Sequence, residues 1–145
     1  MNEAVAQATI FLPLLAVGAL SLIALIRMFS LRAAAVRGHA VRFSYYRAFQ
    51  GTPEPEAVAA AARHYNNLFE APVLFYVGCI VAFEVSAVTP WMLVFAWGFV
   101  IARIAQSVVH LTWNNVNHRA IAFAICWLFI AALWIDVAQA VIAQT

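Results

Sequence analysis

Polar residues are sparse along this chain, and between their clusters run four long apolar stretches. A helix needs about 20 apolar residues to cross the hydrocarbon core of a bilayer. The pattern predicts four spanning helices, at about residues 4–27, 57–85, 90–113 and 118–142. Pro90 marks the start of the third. Trp91 and Trp113 stand near its two ends, where aromatic side chains collect at headgroup level. The expected fold is all-α: an integral membrane four-helix bundle occupying residues 1–145 as one domain.

Two of the spans carry polar stripes. Residues spaced i, i+4 and i+7 share a helical face, which predicts that Arg63, Asn67 and Glu70 line one face of the second span. Arg103, Ser107, His110 and Asn114, spaced 4, 3 and 4, form a second stripe on the third span. Arg119 opens the fourth span at the same depth. Pro72 follows Glu70 by two residues and removes the donor to the Leu68 carbonyl, so a kink is expected beside the polar cluster. His64 points off the stripe and reads as a headgroup-level residue, and Asp136 as a solvated interface residue.

Composition agrees with lipid as the main solvent. The chain is 66% hydrophobic and 10% charged, with a mean hydropathy of +0.90, whereas soluble domains carry about 25% charged residues. The first apolar run has Glu3 before it and Arg27 after it, the reverse of a signal peptide, and reads as a retained span. Cys79 and Cys126 fall at different depths and read as packing residues rather than a disulfide. No cluster has metal-site spacing, and no nucleic-acid partner is expected.

All eight basic residues are arginine, and their placement is one-sided. Arg27, Arg32, Arg37, Arg42 and Arg47 fill the connection between the first two spans, and Arg63, Arg103 and Arg119 fall toward the same face. The opposite face holds Glu3, Glu84 and Asp136. The positive-inside rule makes the arginine face cytoplasmic and puts both termini outside, in the periplasm if the membrane is a bacterial inner membrane. The segment "VRFSYYRAFQ", residues 41–50, reads as lying on anionic headgroups.

A charge inside hydrocarbon costs at least about 2.5–3.5 kcal/mol on insertion scales, so these polar residues should face inward and pair. Glu70 can neutralise Arg63 or Arg103 as glue between helices. One glutamate does not balance three arginines, and the excess positive charge calls for an anion, either a lipid headgroup or a soluble ligand.

The stretch "RHYNNLFEAP" resembles the R-x-x-x-N-x-x-E-x-P signature of the MAPEG family, the membrane-associated proteins in eicosanoid and glutathione metabolism. "RIAQSVVHLTWNNVNHRAIAF", residues 103–123, is similar to that family's third and fourth helices. The resemblance implies a homotrimer of four-helix subunits that binds glutathione between neighbours. It implies that Arg63, Asn67 and Glu70 hold the peptide, that Arg103 and His110 belong to the same binding network, and that Arg119 lies beside the sulfur. An arginine at the inner end of the first helix, Arg27 or Arg32, joins them. The chemistry suits this: arginines pair with carboxylates, a glutamate pairs with an ammonium, and a cation beside a thiol favours thiolate.

The four tyrosines, at 45, 46, 65 and 76, avoid the third and fourth spans, where family members with eicosanoid chemistry place them. His110 stands where a tyrosine is common. The sequence therefore points away from prostaglandin or leukotriene synthesis. It points toward a membrane glutathione S-transferase or peroxidase acting on hydrophobic electrophiles, with glutathione as co-substrate. The alternative is a non-catalytic scaffold or accessory subunit whose arginine pocket binds lipid headgroups.

Overall fold

The computed structural model describes residues 6–112 and 115–144, so Glu3, Trp113 and Asn114 lie outside the described residues. The described chain is all-helical. A 3-10 turn, Gln7–Ile10, leads into α1, Phe11–Arg37. Pro13 has no N–H to give the Thr9 carbonyl, which accounts for the tighter turn ahead of the regular helix. A short α2, Tyr45–Ala48, sits in the first connection. The second predicted span is two helices, α3, Glu56–Asn67, and α4, Ala71–Glu84. They are followed by α5, Pro90–Leu111, and α6, Val116–Ile142. Four segments are long and apolar enough to cross a membrane: Gln7–Arg37, Glu56–Glu84, Pro90–Leu111 and Val116–Ile142.

The first helix runs well past the expected end at residue 27. Residues 28–37, MFSLRAAAVR, are rich in strong helix formers, and no glycine or proline interrupts them before Gly38. Arg27 ends the apolar stretch but not the helix. At 1.5 Å per residue, α1 is about 40 Å long against a hydrocarbon core of about 30 Å, so its last turns stand clear of the apolar layer. There Arg32 meets Glu54 at 3.1 Å and stacks over the Tyr46 ring at 5.0 Å. Burial, followed by the nearby Glu54 carboxylate, raises the Tyr46 pKa above its ordinary value, so its hydroxyl stays neutral.

Hydrogen bonds fix which ends lie together. Gln7 accepts from the Val88 N–H at 2.8 Å, and Gln144 donates to the Val85 carbonyl at 2.9 Å. Gln7 and Gln144 therefore both lie beside the α4–α5 connection, and the arginine-rich segments occupy the opposite end of the bundle. Asp136 is tied down more firmly than expected. It accepts from Thr89 at 3.0 Å, while the Thr89 hydroxyl caps α5 by accepting from the Met92 N–H at 3.1 Å.

The core joins α1, α4, α5 and α6 through Val17, Phe75, Phe99, Cys126, Ile130 and their neighbours. Phe75 and Phe99 stack at 4.4 Å. Cys79 and Cys126 are both free and buried, as packing residues should be. Large apolar side chains such as Leu22, Ile101, Ile121 and Leu128 are exposed on the outer faces, the surface a membrane helix offers to lipid.

Candidate functional site

The site begins at a broken helix. Leu68, Phe69 and Glu70 separate α3 from α4, and Glu70 has non-helical backbone angles, φ −92 and ψ −91. Pro72 explains the position. It cannot donate to the Leu68 carbonyl, and its ring clashes with continued helix on its N-terminal side. It sits instead in the first turn of α4, where no donor is required. The kink expected from the sequence is thus a full interruption, and Glu70 lies at the break rather than on one continuous face with Arg63 and Asn67.

The break changes what each half of the span packs against. α3 packs on α1 and α5, whereas α4 packs on α6. A groove of about 240 Å³ opens between the break and the first turns of α6, lined by Asn67, Glu70, Gln106, Val116, Arg119, Ala120 and Phe123. Asn67, Glu70 and Arg119 therefore meet, although they come from separate elements.

Arg103 holds the break open from behind. It is 1% exposed. Its Nη2 donates to the Asn67 carbonyl at 2.6 Å, and its Nη1 donates to Gln106 Oε1. The Asn67 carbonyl belongs to the last turn of α3 and lacks a helical donor, so the guanidinium acts as a C-terminal cap. Ser107 donates to the Arg103 carbonyl at 2.7 Å. The buried set of the third span also contains Gln106, which sequence spacing did not single out. Its signal was present: a polar side chain one turn from Arg103 on an apolar helix.

Glu70 is exposed and forms no ion pair with Arg63 or Arg103, so it is not the expected internal glue. Arg63 is exposed on α3, one turn from Asn67 and outside the groove lining. His110 is buried and packs against His64, with ring centroids 5.3 Å apart. His64 thus faces inward, not toward headgroups. His110 opens onto a different cleft, shared with Arg27, Glu56 and Ala60.

Two features suit the groove to an anionic, amide-bearing ligand. The Asn67 Oδ1 atom is buried without a partner and remains free to accept a donor. Arg119 lies in the first turn of α6, where a cation opposes the helix macrodipole and an anion is favoured. Asn115 caps that turn, accepting from the Asn117 and His118 N–H groups.

The MAPEG family model matches residues 10–138 of the 145. The chain belongs to the MAPEG family. Neither the curated proteins nor the solved structures provide a match. Membership makes this an integral multi-pass membrane protein of a family that uses glutathione. In this MAPEG protein, the four residues of the R-x-x-x-N-x-x-E-x-P motif divide between α3, the break and the first turn of α4, and two of them, Asn67 and Glu70, reach the groove. Among the described residues no group of His, Cys, Asp and Glu is arranged to hold a metal ion.

Proposed function

We propose that this protein is a membrane glutathione S-transferase or peroxidase acting on hydrophobic electrophiles. The observation that carries the reading is the meeting of Asn67, Glu70 and Arg119 in one groove beside the α3–α4 break. Glu70 receives the glutathione ammonium, and the unpartnered Asn67 amide oxygen accepts an N–H of the peptide. Arg103 is a positioning residue: it fixes the Asn67 carbonyl and Gln106. Arg63 serves a peptide carboxylate from the exposed rim. Arg119 faces the sulfur and stabilises thiolate. The thiolate then attacks an electrophilic carbon and expels its leaving group, or attacks a hydroperoxide oxygen and breaks the O–O bond, releasing an alkoxide that takes a proton from water to become the alcohol. The glutathione sulfenic acid so formed condenses with a second glutathione to give the disulfide and water. The electrophile arrives from lipid along the apolar flank formed by Val116, Ala120 and Phe123.

The groove is open at the side, which suits completion by a neighbouring subunit in a homotrimer. Arg32 is held by Glu54 and Tyr46, so Arg27, exposed toward the cleft that His110 borders, is the α1 arginine we assign to the shared site. His110 then reaches the ligand from that second cleft. The arginine end faces the cytoplasm of a bacterial inner membrane, with both termini outside.

One observation favours the alternative of a non-catalytic scaffold: α6 presents Val116, Ala120 and Phe123 to the groove on either side of Arg119, with no hydroxyl to assist the chemistry. The two readings separate on purified protein in mild detergent. Glutathione-dependent turnover of an aryl halide or an organic hydroperoxide supports the enzyme. Absence of both turnover and glutathione binding supports the scaffold whose arginine pocket takes lipid headgroups. Native mass spectrometry of the same sample is expected to show three copies.

A further inference from the structure

A further cleft lies apart from both the groove beside the α3–α4 break and the cleft that His110 borders. The chain leaves α1 at Gly38 and folds back, anchored by a small apolar cluster of Ala35, Val41 and Val58. Between α1 and the returning segment is a cleft of about 470 Å³, lined by Phe29, Ala33, Val36, Phe43, Tyr46 and Phe49 with Arg32 and Arg37. That volume falls within the roughly 300–1,000 Å³ of ordinary small-molecule pockets. Its walls are apolar, yet Phe43 is 79% exposed and Phe29 and Phe49 are also exposed. Phe49 holds a left-handed backbone conformation, φ 53, which a bulky residue rarely adopts. The conformation keeps its ring against Tyr45 and Tyr46, with centroids at 5.7 and 6.4 Å.

Charge selects the occupant. Between residues 4 and 53 there are five arginines and no acid. The first acid to follow, Glu54, is taken by Arg32. Arg37 on the cleft rim and Arg42 beside Phe43 are exposed and form no ion pair with any described residue. Phe29 lies about 12 Å below Arg37 along α1, at 1.5 Å per residue. That offset puts cations at headgroup depth and aromatic rings at the upper acyl chain.

We propose that this cleft is a binding site for one anionic phospholipid of the arginine-side leaflet. Its phosphate lies between Arg37 and Arg42, and an acyl chain lies against Phe29, Phe43 and Phe49. The Arg32–Glu54 pair is not a headgroup contact. It clips residues 41–54 to α1 and so shapes the cleft.

The test is native mass spectrometry of the full chain in mild detergent. It is titrated with phosphatidylglycerol and, separately, with phosphatidylcholine of the same acyl chains. We expect tighter retention of phosphatidylglycerol, lost by about fivefold per arginine in Arg37→Gln and Arg42→Gln, since each basic residue near a membrane surface is worth about that factor. Phe43→Ser, a change at an exposed position, should weaken both lipids, and Glu70→Gln on the other groove should weaken neither. Equal retention of the two lipids overturns the proposal. So does indifference to Phe43→Ser, which leaves headgroup attraction without a cleft. Competition by soluble glycerol phosphate at the same concentrations means a free phosphate site and overturns it too. Loss of all lipid binding on oligomerisation means that another copy of the chain covers the cleft, and the proposal falls in that case as well.

Discussion

Arg103 on α5 donates a hydrogen bond of 2.6 Å to the main-chain carbonyl of Asn67, the last residue of α3. The bond ties the centre of one span to the interruption in another. Without it the Asn67 carbonyl has no helical donor, and the break loses its fixed geometry. A single buried arginine therefore sets the shape of a groove that it does not itself line.

Replacing that arginine tests the claim. Arg103→Met leaves the Asn67 carbonyl and the Gln106 amide unpaired, and each unsatisfied buried group costs about 1–3 kcal/mol. The variant should melt earlier in detergent, and Arg103→Met with Gln106→Leu should recover part of the loss. A melting temperature unchanged by Arg103→Met would show that the bond carries no stability.

Glu70 should behave in the opposite way. Its side chain is exposed, makes no ion pair with any described residue and does not cap α4, and changes to such surface side chains usually fall within about 0.5 kcal/mol. Glu70→Gln should leave the melt nearly unchanged and weaken glutathione binding, as isothermal titration would read. Strong destabilisation without loss of binding would return Glu70 to a structural role.

Pro72→Ala restores a donor to the Leu68 carbonyl and permits α3 and α4 to join. A continuous helix would carry Glu70 off the groove. The variant should fold and bind glutathione less well, with slower hydrogen exchange across residues 68–72. Unchanged exchange and unchanged affinity would mean that packing of α3 on α1 holds the break without the proline.

The proposed topology rests on the arginine distribution. In the proposed orientation the C-terminus is outside, so an alkaline phosphatase fusion at that end of the bacterially expressed protein should be active. Activity confined to fusions in residues 38–55 would reverse the orientation.

The four apolar segments were legible in the sequence because hydropathy and helical length determine a span directly. The ends of the third and fourth followed from Pro90 and the polar cluster before α6. The length of α1 was not legible, since hydropathy stops at Arg27 while helix propensity continues to Gly38. The interruption at Leu68–Glu70 was visible only as a kink. Pro72 reports the donor lost to the Leu68 carbonyl, but whether the helix bends or breaks depends on other partners, here Arg103 for the neighbouring Asn67 carbonyl and α1 for α3. The same limit applied to the site. Arg119, Glu70 and Asn67 could be named from a motif, but His64, His110 and Gln106 needed the packing of α3 on α5 before their places were defined.

The central claim is that Arg119 stabilises a glutathione thiolate, and the most direct measurement is the ultraviolet thiolate band of glutathione bound to the protein at neutral pH. A free thiol of this type has a pKa of about 8.5, so only a few percent is ionised there. A nearby cation should lower it by about one to two units, equivalent to roughly 1.4–2.7 kcal/mol. The account predicts a thiolate difference band on binding to the wild type, abolished by Arg119→Ala with affinity largely kept, and reduced in step with affinity by Arg63→Ala. Glutathione bound to the wild type with no thiolate band, or a band that survives Arg119→Ala, would contradict it.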